Sequence, residues 1–148
     1  MKISEMQKLL DANILCCEEN LDKEVFSAFG CDLMSDVLAY VTDQAVLLTG
    51  LVNPQVIRTA LMMDMLCIVF VRSKAPNQEM IDLAKENGIV MMSTNKTLYN
   101  ACGILYSNGL VSTAEVSHRR ARRKKGRLQN QYNQSARFRR RALPQGRR

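Results

Sequence analysis

Three clusters of small polar and cationic residues, each placed directly after a short apolar run, are where this chain concentrates groups suited to ligand chemistry. They are Thr49, Gly50 and Asn53; Arg72, Ser73 and Lys74; and Ser93, Thr94 and Asn95. Gly50 permits close approach of the backbone to a ligand, and Arg72 and Lys74 can neutralise a phosphate. Helices starting after Asn53 and Asn95 would present free N–H groups. Together these features suit a small anionic ligand of phosphate or nucleotide type. The same residues also have a purely architectural use, with Gly50 in a turn, the hydroxyls and amides capping helices, and the two cations solvated.

Catalytic groupings are absent from this pattern. Residues 1–117 contain no histidine, which excludes Cys-His and Ser-His-Asp arrangements there, and His118 has no partner nearby in sequence. No GxxxxGK[ST] loop is present to cradle the phosphates of a phosphoryl donor, so a kinase is not expected. Asp32 and Asp36, four residues apart, could pair for acid/base work or a divalent metal. The simpler assignment makes Asp32 a helix cap and leaves Asp36 in solvent.

The five cysteines (Cys16, Cys17, Cys31, Cys67 and Cys102) form no CxxC or CxxxC spacing, so reduced, mostly buried thiols are expected and no metal. Adjacent Cys16 and Cys17 would point to opposite faces of a strand, exposing one of them to redox chemistry. No catalytic residue, cofactor or metal ligand is therefore assigned.

The elements that must position the polar clusters follow from periodicity. A helix capped by Ser4 runs to Leu10, Ala12 to Cys17 form a strand, and residues 18–22 a polar turn. Glu24 to Phe29 read as a further strand, leading to a helix over Leu33 to Val41 that turns Leu33, Val37, Leu38 and Val41 to one side. Ala45 to Thr49, Leu66 to Val71 and Ile89 to Met92 are unbroken apolar strands.

Between these strands lie helices from Asn53-Pro54 to about Asp64 and from Asn77 to Glu86, the latter closed by Gly88. A last helix, capped by Ser93, Thr94 or Asn95, reaches about Ser107. Met62, Met63 and Met65 are expected mainly in the core. Strands apolar on both faces and alternating with helices predict an α/β fold, a single three-layer domain with a mainly parallel sheet flanked by helices. Its connections should be right-handed.

Charge divides the chain near residue 118. From His118 onward there are thirteen Arg or Lys and no acid, whereas residues 1–117 hold eight basic and fourteen acidic residues, so a segment of +13 follows a body of −6. The overall +7 describes neither piece. The α/β domain is placed at residues 1–112 and a basic tail, expected to be disordered, at 113–148. Such a tail is either a solvated extension, an out-of-frame read-through, or a nucleic-acid arm. In the last case Arg119, Arg120, Arg122, Arg123, Lys124 and Lys125, with Arg139, Arg140 and Arg141, would meet phosphates, and Tyr132 and Phe138 would stack on bases. No amphipathic face accompanies the charge and no eighteen-residue apolar run exists, so a membrane is not an expected partner. The absence of a signal-peptide pattern at Met1 to Leu10 predicts a cytoplasmic protein.

The segments DLMSDVLA (Asp32 to Ala39), VLLTGLVNPQVIRTALMMDMLCIVFV (Val46 to Val71), and Pro76 with IDLAKENGIVMMST (Ile81 to Thr94) resemble the DRTGG-domain proteins. These are small α/β modules similar to the N-terminal domain of HPr kinase/phosphorylase, and the resemblance spans roughly residues 2–110. Where many relatives carry a Thr-Gly-Gly turn, this chain has Arg72-Ser73-Lys74. The resemblance implies a non-catalytic regulatory or ligand-sensing module binding a small anionic ligand or a partner protein. Relatives accompany CBS domains, phosphotransacetylase-like enzymes, and hydrogenase or electron-transfer systems. A homodimer is also compatible with a small domain that has exposed strand edges.

Overall fold

The three unbroken apolar runs become the interior of a five-stranded sheet, since residues buried on both faces must be covered by helices on both. The computed structural model describes residues 1–41, 44–115, 126, 127 and 130. The chain divides into two units, Met1–Val116 and Ser117–Arg148, and every element named below belongs to the first. In order these are α1 (Ile3–Leu10), β1 (Asn13–Cys16), β2 (Ser27–Gly30), α2 (Met34–Tyr40), β3 (Ala45–Thr49), α3 (Pro54–Met62), β4 (Cys67–Phe70), α4 (Gln78–Glu86), β5 (Val90–Ser93) and α5 (Leu98–Ser107).

The sheet order is β1-β5-β4-β3-β2, with β2 to β5 parallel and β1 antiparallel to β5. Sequential parallel neighbours joined by crossovers of one hand place their connecting helices on one face. Accordingly α2, α3 and α4 pack side by side, while α1 and α5 pack together and α5 lies over β2 and β3. The expected three-layer α/β architecture is thus the observed one. The core is aliphatic and methionine-rich, centred on Leu47, Leu48, Ile68, Val69, Phe70, Met91 and Met92. No helix among the described residues is long and apolar enough to cross a membrane.

The register levels the strand ends that matter for ligand binding. Thr49 pairs with Phe70, Phe70 with Ser93, and Ser93 with Asn13. One row therefore crosses four strands, and the loops after β3, β4 and β5 open from the same edge.

Several boundaries differ from the sequence reading. Helix α1 begins at Ile3 rather than behind a Ser4 cap, and the Glu5 carboxylate accepts the Lys2 N–H at 2.9 Å. Ser4 N–H instead reaches the Leu21 carbonyl at 2.9 Å. Strand β2 starts three residues later than expected. Starting α2 at Met34 turns Met34 and Val37 inward and leaves Leu33 58 % and Leu38 42 % exposed, so the predicted apolar side is rotated. Met65 is in the core, whereas Met62 is exposed.

Cys16 and Cys17 are both buried, because Cys17 has φ of 60° and leaves the alternation of the strand. Neither offers the exposed thiol expected of a strand pair. Burial pushes Cys16 up to about 11 and also raises Cys17, Cys67 and Cys102. These four thiols remain protonated near neutrality.

Four helices close in the same way. A residue in the left-handed region follows each of α1, α3, α4 and α5, namely Asp11, Asp64, Gly88 and Gly109. The next N–H folds back to a carbonyl of the last turn, as in Ile89 to Ala84 at 3.0 Å and Leu110 to Leu105 at 3.0 Å. Beyond α5 the chain covers the free edge of β2, where Ala28 N–H donates to the Val111 carbonyl at 3.0 Å and Ala28 bridges Ser112. Thr113 is buried.

Candidate functional site

At the carboxyl end of β2 the chain passes through Gly30 and Cys31 to Asp32. That carboxylate does not cap a helix, since the N-cap position of α2 is Leu33, which makes no side-chain bond. Asp32 Oδ1 instead accepts the Thr49 hydroxyl at 2.9 Å and the Gly50 N–H at 2.7 Å. Thr49 is fully buried, and its Oγ1 in turn accepts the Leu51 N–H at 3.1 Å. The Gly50 N–H above all, with the Thr49 hydroxyl and the Arg72 guanidinium, holds the Asp32 carboxyl below the usual carboxylate range against partial desolvation. Asp36 sits in the first turn of α2. No group of three or more metal-ligating side chains occurs among the described residues.

The loop after β4 is fixed by its neighbour rather than by glycine. Arg72 and Ser73 both have positive φ, 57° and 52°, a conformation that L-residues adopt only when the surroundings impose it. The imposing contacts are Arg72 N–H to the Lys96 carbonyl and Ser73 N–H to the Thr94 carbonyl, both at 2.8 Å. The Ser93 hydroxyl donates to the Lys74 carbonyl at 2.8 Å. Three hydrogen bonds therefore tie the loops after β4 and β5 together. Arg72 extends back over Gly50, where an added Cβ would lie 3.1 Å from Cζ, so the glycine makes room for the guanidinium.

The nine residues expected to bind a ligand fall into three sets. Thr49, Gly50 and Arg72 meet beside Asp32, with Lys74 exposed two residues further along the same loop. Ser73, Ser93 and Asn95 line a separate cleft of about 410 Å3 on the β5 and β1 side. Asn53 and Thr94 serve the architecture. The Asn53 side chain accepts the Gln55 N–H at 2.9 Å as the cap of α3, and Thr94, which also borders the cleft, donates its hydroxyl to the Leu10 carbonyl at 2.7 Å. The cap of α5 is Thr97, correcting the assignment to residues 93–95, because four residues intervene between β5 and the helix.

Sequence reasoning missed Asp11 and Asn13, which also line the cleft. They lie at the start of β1, and only the antiparallel pairing of β1 with β5 brings them to the carboxyl edge. Asp32 was singled out for a different role. The available signal was an acidic residue just beyond a strand, beside the Thr-Gly that ends the next one. The basic residues Arg119, Arg120, Arg122, Arg123, Lys124, Lys125, Arg139, Arg140 and Arg141, with His118, Tyr132 and Phe138, lie outside the described residues.

Comparison with known proteins places this geometry in a family. A solved structure similar in fold is that of the CBS and DRTGG domains of the regulatory region of Clostridium perfringens pyrophosphatase, complexed with its activator diadenosine tetraphosphate. The TM-score is 0.60 at 16 % identity, covering 70 % of this chain and 45 % of that one. The chain thus spans less than half the length of the structure it matches. No curated protein matches the chain. The DRTGG domain model matches residues 5–107, which takes in all five strands and the loops at their carboxyl edge. The chain belongs to the DRTGG domain family.

Proposed function

We propose that this domain is a non-catalytic regulatory module that senses a small phosphate-bearing anion at the carboxyl edge of β3 and β4. The observation that carries the reading is the placement of Arg72. Its backbone is locked in a left-handed turn by the neighbouring loop, and its guanidinium lies over Gly50 without a direct ion pair among the described residues. An exposed, planar cation with five donors, joined by Lys74 from the same loop and only partly offset by the Asp32 carboxylate, is suited to a phosphate. Open α/β sheets bind ligands at this edge.

Asp32 has a supporting part in this reading. It binds the Gly50 N–H and the Thr49 hydroxyl, which shapes the turn facing Arg72. The pyrophosphatase regulatory region, a structural neighbour that carries a DRTGG domain, binds a dinucleoside polyphosphate activator, so a nucleotide is the first ligand class to test. Thermal unfolding of the full chain with millimolar ATP or diadenosine tetraphosphate should rise by several degrees, and Arg72→Ala should abolish the rise. No shift with any phosphate compound removes the small-ligand reading. It would leave a partner protein, including one from a hydrogenase or electron-transfer system, as the occupant. The segment from His118, with thirteen cations and no acid, supports a second and separable activity, electrostatic binding of RNA or DNA.

A further inference from the structure

The cleft on the far side of residues 72–75 differs in sign from the anion site, on which this inference rests. Among the described residues its one ionisable lining residue is Asp11, joined by Asn13, Ser73, Ser93 and Asn95, with Leu15 as an apolar patch. The side chains of Asp11, Asn13, Ser73 and Asn95 make no hydrogen bond among the described residues. A phosphate would be repelled by the Asp11 carboxylate. A vicinal diol would not, since its hydroxyls donate to a carboxylate and accept from amide N–H groups.

The two sites open above one row of the sheet, on either side of residues 72–75. Thr49, Phe70, Ser93 and Asn13 are paired in succession, so three inter-strand steps of roughly 4.8 Å set the row at about 14 Å. That span suits a molecule with phosphates at one end and a sugar and ring at the other. The cleft volume of about 410 Å3 also falls within the ordinary size range of small-molecule sites. We infer that the cleft holds the ribose-bearing, uncharged end of a nucleoside phosphate whose phosphates lie on Arg72, and so selects nucleotides against inorganic polyphosphate.

Calorimetric titration of the full chain with ATP, tripolyphosphate, and the dideoxy analogue of ATP lacking both ribose hydroxyls tests this directly. ATP should bind at least about tenfold tighter than tripolyphosphate, the worth of one or two charge-assisted hydrogen bonds. The dideoxy analogue should lose most of that margin. Asp11→Asn should lower ATP affinity about tenfold and leave tripolyphosphate unweakened. Asn tolerates the left-handed backbone of residue 11, so an unchanged unfolding midpoint confirms the fold of the variant. Equal binding of ATP and tripolyphosphate, both weakened by Arg72→Ala, overturns the inference while leaving the anion site standing. An ATP affinity indifferent to Asp11→Asn or to the missing hydroxyls overturns it as well. Binding of neither compound removes the anion site and this inference together.

Discussion

Asp32 shows how one side chain couples the stability of the fold to the shape of the site. Replacing it with Ala leaves the buried Thr49 hydroxyl and the Gly50 N–H without their acceptor, at a cost of about 1–2 kcal/mol in urea unfolding at neutral pH. Because the native carboxyl titrates below its unfolded value of about 3.9, its contribution is present above about pH 4 and disappears as the pH falls through the lowered native value. The stability gap between the wild type and Asp32→Asn should narrow on acidification; a gap unchanged down to pH 3 would refute the assignment. Gly50→Ala is a complementary change. Its Cβ would displace the mobile end of Arg72 rather than backbone, so ligand affinity should drop with little change in unfolding midpoint. Neither role was visible in sequence, where an acid ahead of a helix reads first as a cap, and only the parallel pairing of β2 with β3 brings Asp32 to Thr49.

Among the helices, the start of α3 was the most legible feature: Asn53 before Pro54 sits where expected, and its side chain accepts a first-turn N–H. Asn77, read as the first residue of its helix, is instead the cap of α4 and accepts the Met80 N–H, while the cap of α5 is Thr97 and not Asn95. Asn53→Ala and Asn77→Ala should each cost about 1 kcal/mol in chemical denaturation. Gly88→Ala should cost about 1–2 kcal/mol through the left-handed backbone alone, since the added Cβ would meet Asn20 Nδ2 only at an ordinary 3.5 Å. The continuous apolar runs of β3, β4 and β5 were equally clear, because burial on both faces writes itself into every residue. Of the two edge strands, β1 falls within the expected run of residues 12–17, whereas β2 begins three residues late. β2 has only four residues, Ser-Ala-Phe-Gly, and owes its place to Leu48 on one side and the 111–112 segment on the other. Such pairing is a tertiary property that local pattern does not encode.

For the molecule as a whole, the charge division remains the feature read most directly from sequence. RNA binding by the full chain should weaken by orders of magnitude between about 50 and 200 mM salt. A chain ending at Val116 keeps the 111–112 pairing with β2 and should bind no RNA; equal binding by both would exclude the cationic segment as the cause. The order of strands adds a constraint of another kind. Successive units from β2 to β5 extend the sheet one neighbour at a time, yet β1, the first of the described strands, pairs among the described residues only with β5, the last of them. During synthesis the amino-terminal strand must wait some eighty residues for its partner, from Asn13 to Ser93. Closing that loop carries an entropic cost that the local βα pairings do not, and until translation passes Ser93 the nascent polypeptide carries an unsatisfied edge open to a chaperone.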